Sequence, residues 1–292
     1  MVRVGVTMGD LSGIGPEITI KALKLFEGQA QFLAYAPRDT YPGIEGLEFV
    51  DLKGTNQALS AIEQSATDLR RGTIDAVVTA PVNKAVFEGR YPGHTELYED
   101  ILGAENVAMM MYGSQLKTVP VTTHIALRDV PSALSVELYE SQGSIVHHFL
   151  RDDLGIAEPR IAMAGLNPHA GDGGLFGDEE TTILRPAIER MRALGINISD
   201  PISPDTVFHQ AAQGRYDAVL CAYHDQALIP FKLLHFSDGV NVTLGLGAPR
   251  TSPDHGPATD IAGRGIADPS SMIEAVRLAI ELAEKRGNNS HR

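Results

Sequence analysis

Basic side chains are scarce, cysteine is all but absent, and no long apolar run occurs. Lys and Arg number 24 against 37 Asp and Glu, for a net charge of −13. Nucleic-acid binders gather Lys and Arg against phosphate backbones, so this balance, with no basic run, argues against nucleic acid as a partner. The single cysteine, Cys221, cannot form an internal disulfide and asks for no oxidising compartment. It reads as a small buried apolar side chain. Apolar stretches fall well short of the ~20 residues of a membrane helix, so no membrane association is expected. The N-terminal MVRVGVTMGD reads as a strand entering a turn rather than a signal peptide, and a cytoplasmic location is expected.

What is present is an ordinary globular balance, 292 residues with 43 % hydrophobic and 21 % charged, which excludes a disordered chain. Neither an internal repeat nor a linker-like segment interrupts it, and only the tail Gly287–Arg292 looks loose. Short β-branched runs alternate with helical spacing almost from end to end. Strand-like runs are Val2–Thr7, Phe32–Ala36, Ala76–Thr79, Val107–Met111, Thr118–Thr122, Ile161–Ala164, Ala218–Ala222 and Val240–Leu244. Helical patterns cover Glu17–Phe26, Asn56–Arg70, Val136–Leu150, Glu179–Leu194, Thr206–Gln213 and Ser270–Arg286. That alternation predicts an α/β protein with a mostly parallel sheet covered on both faces.

The chemically interesting residues follow the apolar runs, where open parallel sheets bind ligands. His124, His169 and His224 each come just after a predicted strand. Three imidazoles with an open position form a catalytic site for an ion such as Zn²⁺. Ten histidines in the chain also place some after strands by chance, and the spacing is not a metal motif in itself. Gly9–Glu17 is a glycine-rich turn that fits neither the dinucleotide nor the phosphate-loop fingerprint, and reads equally as a structural turn or an anion contact. Gly93-His94-Thr95-Glu96 opens a helix, with Thr95 as N-cap, and suits either capping or an anion. Lys232 pairs with an anionic substrate or is a surface lysine. Asp254–Gly265 reads as a close-approach loop for a flat ligand or as a plain turn cluster.

These segments together resemble the 4-hydroxythreonine-4-phosphate dehydrogenase family of vitamin B6 synthesis over nearly the whole chain. The resemblance is carried by GIGPE (Gly13–Glu17), TAPVNK (Thr79–Lys84), GHTE (Gly93–Glu96), TTHIALRD (Thr122–Asp129), GLNPHAG (Gly165–Gly171), PDTVF (Pro204–Phe208), YDAVLCAYHDQALIPFK (Tyr216–Lys232), VNVTLGL (Val240–Leu246) and RTSPDHG (Arg250–Gly256). The loop DHGPATDIAGRGIADP is similar to the cofactor loop of isocitrate and isopropylmalate dehydrogenases. The resemblance implies two α/β/α domains around a cleft, with residues 1–93 and 239–292 on the cofactor side and 94–238 binding metal and dimerising. It implies a divalent ion (Zn, Mg or Co) on His124, His169 and His224, and a phosphorylated substrate on His94, Thr95, Lys232, Asn241 and Arg250. It also implies NAD, with NADP the alternative, on His255, Gly256, Ala258, Asp260 and Ile261, and a homodimer whose two chains share each active site.

The implied reaction oxidises the C3 hydroxyl of 4-phosphooxy-L-threonine and then releases CO₂ to give 3-amino-2-oxopropyl phosphate. Asp205, Lys232 or a metal-bound water takes the hydroxyl proton during the oxidation. Departures from the family pattern at Leu11, Asp172 and Gly247-Ala248-Pro249, and a short stretch between Ala36 and Gln57, bear on the shape of the substrate pocket. Competing readings are dehydrogenation of D-threonate 4-phosphate, D-erythronate 4-phosphate or an aromatic cis-dihydrodiol, a metal-dependent hydrolase, and a non-catalytic phosphate-binding protein.

Overall fold

The computed structural model describes residues 1–41, 43–44 and 46–289. They divide into two compact units, Met1–Val107 with Ser237–Arg292, and Ala108–Phe236. The division falls after Val107 rather than at residue 93, because the helix opening at His94 packs against the Gln57–Arg70 helix of the first unit.

In the first unit, strands β1 (Arg3–Thr7), β2 (Gln31–Tyr35), β3 (Glu48–Phe49), β4 (Ala76–Thr79), β10 (Val240–Leu244) and β11 (Arg250–Pro253) lie in the order β3-β2-β1-β4-β11-β10. All neighbours are parallel except the β10–β11 pair. Helices α2 (Gln57–Arg70) and α3 (His94–Leu102) pack on each other, as do α1 (Gly15–Leu23) and α9 (Ser270–Asn289). Every residue of β4 is buried, which is why its sequence AVVT is a continuous apolar run rather than an alternating one. Asn56 caps α2, its side chain accepting from the Leu59 amide at 3.1 Å. Leu59, Ile62, Ala66 and Leu69, at helical intervals, enter the core beside Leu33, Tyr35 and Val77.

In the second unit, β5 (Ala108–Tyr112), β6 (Lys117–Pro120), β7 (Ile161–Ala164), β8 (Ile198–Ile202) and β9 (Ala218–Cys221) run in the order β5-β6-β9-β7-β8, antiparallel only between β5 and β6. Helices α7 (Pro204–Ala212) and α8 (His224–Leu234) bury Val207, Ala211, Ala227 and Phe231 against Val219 and Cys221 of β9. Cys221 is fully buried, and burial pushes its thiol well above the usual range. The remaining helices are α4 (Val130–Ala133), α5 (Val136–His148) and α6 (Arg185–Ala193), with α5 packed on α6.

The sequence pattern misses the four-residue α4 and also β3, β8, β11 and α8. β3 has two residues, β8 carries Asp200-Pro201, β11 is RTSP, and α8 contains Pro230, so none shows a clean period. The tail differs from expectation as well. Gly287–Asn289 continue α9, and Ser290–Arg292 lie outside the described residues. Among the described residues no helix is long and apolar enough to cross a membrane.

Candidate functional site

In the second unit β6, β9 and β7 are parallel neighbours, so their carboxyl ends share one edge of the sheet. His124 follows β6, His224 opens α8 after β9, and His169 follows β7. Side chains tie the three ends together. Thr122 Oγ1 donates to the Ala222 carbonyl at 2.7 Å. The Gln226 amide accepts from Ala222 N at 2.6 Å and donates to the Gly165 carbonyl at 2.7 Å.

The rings of His124 and His224 stand 5.6 Å apart. His224 Nδ1 lies 2.7 Å from Asp225 Oδ1, the carboxylate–imidazole contact that orients ligating histidines. His169 sits elsewhere in the loop: His169–Gly173 all have positive φ, from 43° to 79°, and three of the five are not glycine. For such residues the left-handed region costs roughly 1–2 kcal/mol each. Among the described residues no three His, Cys, Asp or Glu side chains are grouped to hold a metal ion. One chain thus brings His124 and His224 together without completing a three-ligand set with His169, whose coil is anchored on Glu180 through Asn167. Paired imidazoles, one steered by a carboxylate, are donor chemistry that fits a divalent ion.

Of the other residues expected here, Lys232 is half-buried on α8, its ammonium 5.6 Å from the Phe236 ring. Asp205, in the first turn of α7, is exposed and accepts from Ser203 Oγ at 2.6 Å. Large apolar side chains close to His124 and His169 in the chain stand in the open: Ile125 44 %, Leu127 67 %, Leu175 71 % and Phe176 45 % exposed.

The first unit holds a different kind of site. Arg250 on β11 is 3 % exposed and hydrogen-bonds no carboxylate among the described residues, Glu96 acting on its charge only from a distance. Its Nη1 donates to Thr243 Oγ1 at 2.9 Å and its Nη2 to Thr79 Oγ1 at 2.7 Å, while the guanidinium lies 5.8 Å from the Tyr98 ring. Tyr98 is held from below by Ser65, hydroxyl to hydroxyl at 2.6 Å. Burial pulls the Arg250 pKa down to about 10. His94, at the start of α3, is held well below the ordinary imidazole range, first by burial and then by the charge of Arg250, and so stays neutral near pH 7. Arg250 Nε, His94 Nε2 and Asn241 Oδ1 are buried with no hydrogen-bond partner among the described residues. Buried polar atoms are seldom left so, and a buried guanidinium without a counter-charge is a receptor for an anion. Thr95 does not cap α3, which begins at His94 after an extended Gly93 (φ −176°) and so places Thr95 inside the first turn.

The glycine-rich turn proves structural. The Asp10 amide donates to Pro81 O, Gly13 N to Asp10 O and Ile14 N to Pro257 O, all at 2.8–2.9 Å, so these amides are already engaged. A Cβ on Gly13 would stand 2.6 Å from Pro257 O, which explains the glycine. This turn therefore supports the loop that carries His255, Gly256, Ala258, Asp260 and Ile261. Farther along, Glu17 Oε1 accepts from Ala267 N at 2.9 Å, and Lys21 Nζ donates to the Ala267 and Gly265 carbonyls at 2.8 and 3.2 Å. His255 and Ile261 are half-buried, Asp260 is exposed, and His255 Nε2 is buried without a partner among the described residues.

Sequence reasoning missed Thr79, Thr243, Tyr98, Gln226 and Glu180. The two threonines and Gln226 lie within the motifs that carry the resemblance, whereas nothing in the sequence marks Tyr98 or Glu180.

The chain resembles known proteins over nearly its whole length. The family model described as "Pyridoxal phosphate biosynthetic protein PdxA" matches residues 36–279. A protein of Geobacter metallireducens named 4-hydroxythreonine-4-phosphate dehydrogenase is 49 % identical, over 98 % of this chain and 97 % of its own. The crystal structure of 4-hydroxythreonine-4-phosphate dehydrogenase from Klebsiella pneumoniae superposes with a TM-score of 0.83 at 36 % identity, covering 97 % of this chain and 100 % of the other. Isocitrate dehydrogenase from Methylococcus capsulatus, 17 % identical with a TM-score of 0.56 over 97 % of this chain and 88 % of its own, shares the fold. A match of this extent settles the lineage: the chain belongs to the PdxA family of pyridoxal phosphate biosynthetic proteins.

Proposed function

We propose that this chain oxidises 4-phosphooxy-L-threonine at its C3 hydroxyl, with NAD and a divalent cation, and releases CO₂ to leave 3-amino-2-oxopropyl phosphate, a step of vitamin B6 synthesis. The carrying observation is Arg250, a buried cation that hydrogen-bonds no carboxylate among the described residues, in a chain 49 % identical to a protein named for a phosphorylated substrate. Its guanidinium, with Lys232, Asn241, Thr95 and neutral His94, receives the anionic groups of the substrate. Thr79 and Thr243 aim the guanidinium, which costs no reorganisation when the anion arrives.

His124, His169 and His224, pooled from two copies of the chain, hold the cation. When bound, the cation supplies Lewis acidity at the alcohol and at the ketone that follows, and the nicotinamide supplies the two-electron acceptor. The chain's own part is orientation and proton transfer. Asp205 or Lys232 takes the proton of the C3 hydroxyl. The loop of His255, Gly256, Ala258, Asp260 and Ile261 seats the dinucleotide. An exposed Asp260 carboxylate suits a ribose 2′-hydroxyl and repels a 2′-phosphate, which favours NAD over NADP.

The open apolar side chains near His124 and His169 support the reading of a homodimer. Exposed apolar surface of this extent marks an interface, and a second copy would cover it beside the very histidines that need completing. The acidic chain with one buried cysteine fits a cytoplasmic enzyme.

The test is a spectrophotometric assay of NADH formation with 4-phosphooxy-L-threonine, NAD⁺ and a panel of divalent ions. Turnover that needs all three is expected. Faster turnover of D-threonate 4-phosphate, D-erythronate 4-phosphate or a cis-dihydrodiol would overturn the substrate, and a clear NADP⁺ preference in kcat/KM would overturn the cofactor. Hydrolysis without NAD⁺ would move the chain to another reaction class.

A further inference from the structure

Glu180 is a buried charged group of the second unit that the proposed chemistry leaves without a task. It is 3 % exposed and lies in the single π-helical turn Glu180–Leu184 that leads into α6. Its carboxylate meets no cation among the described residues and turns toward the coil after β7. Oε1 accepts from the Asn167 backbone amide at 2.8 Å and Oε2 from Asn167 Nδ2 at 3.0 Å; Glu179 Oε2 takes the same Nδ2 at 2.7 Å. The coil is shaped to admit it. A Cβ on Gly171 would stand 2.8 Å from Glu180 Oε2, and one on Gly165 3.3 Å from Oε1. Asn167 stands two residues before the left-handed run, which opens at His169 with φ 53° and ψ 30°. A run of L-residues in that conformation persists only where its surroundings over-determine it, and the Glu180 carboxylate is the buried group that grips its start.

We propose that Glu180 is a positioning residue: through Asn167 it holds the left-handed coil in the shape that presents His169 to a divalent cation. The inference rests on the metal reading above. Groups that orient a ligand from behind commonly change metal affinity by about 10- to 100-fold when removed. Glu180→Leu keeps the bulk and loses both acceptors. Glu180→Gln keeps an acceptor for the Asn167 amide.

The test uses the full-length protein with Co²⁺ as probe, its affinity read by competition with a chromophoric chelator and its coordination by the visible d–d absorption. Wild type is expected to take up Co²⁺. Glu180→Leu is expected to weaken uptake at least about tenfold and alter the d–d bands, with circular dichroism and oligomeric state unchanged, while Glu180→Gln stays within about threefold of wild type. Affinity and spectrum of Glu180→Leu matching wild type in a folded protein would overturn the proposal and leave the metal reading standing. Wild-type protein that takes up no Co²⁺ would overturn both. Should Glu180→Leu not fold, Asn167→Ala, which removes only the side-chain half of the clamp, is read in the same way, and an unchanged affinity there overturns the proposal.

Discussion

The anion receptor of the first unit and the histidine edge of the second are built on opposite principles. Arg250 is buried, its two terminal nitrogens fixed on Thr79 and Thr243, and burial, reinforced by its charge, keeps His94 neutral. It is finished within one chain before any ligand arrives. The histidine edge is exposed, carries two of three imidazoles as a pair, and is ringed by open leucine and phenylalanine side chains. The difference teaches where each site draws its rigidity: the first from burial in its own unit, the second from whatever covers it.

Breaking the unfinished site has the largest expected effect. His169→Ala should lower turnover by at least about 10³-fold and abolish stable Co²⁺ uptake while leaving the circular dichroism spectrum and Tm intact, because the side chain is exposed and supports no core. Full activity of that variant after metal stripping would refute the metal role.

Breaking the finished site comes next. Arg250→Ala should lower kcat/KM for the phosphorylated substrate by roughly 10²- to 10³-fold, the range for truncating one partner of a buried charge pair, and leave Co²⁺ affinity unchanged. An equal loss of metal affinity would mean the two sites are not separate devices.

A smaller effect is expected at the turn beneath the dinucleotide loop. Gly13→Ala puts a Cβ against Pro257 O at 2.6 Å, a backbone contact that cannot swing aside. A loss of about 1–3 kcal/mol in stability, seen in denaturant midpoints, should accompany a higher KM for NAD⁺. A KM for NAD⁺ equal to that of wild type would detach the turn from the cofactor loop.

The smallest effect is a pH dependence. His94 is held below its unfolded value, so the unfolded chain binds the extra proton first. Its contribution is fully present above about pH 6.5 and declines as the pH falls below that. Tm should therefore drop more steeply from pH 6.5 to 5 in wild type than in His94→Gln. Parallel curves would show that burial beside Arg250 does not govern His94.

Much of the fold was legible because it rests on local pattern. The fully apolar runs AVVT, IAMA and AVLC can only be strands buried on both faces, and Asn56 with the spacing of Leu59, Ile62, Ala66 and Leu69 announces α2. The His124, His169 and His224 positions were legible as residues following strands. Their relation was not. That β6, β9 and β7 are neighbours, although β9 comes last in the chain, depends on crossover connections that no local spacing encodes.

The amino-acid sequence by itself determined the class of protein, the strand and helix code, and which side chains could carry chemistry, since these follow from periodicity and residue type over a few positions. Tertiary structure alone decided that Arg250 is a buried cation hydrogen-bonding no carboxylate among the described residues, that His124 meets His224 while His169 does not, that Ile14 spends its amide on Pro257, and that Glu180 grips Asn167. Each of these is a contact between segments far apart along the chain. Burial and hydrogen-bond geometry, which set pKa and ligand orientation, exist only once those segments have packed.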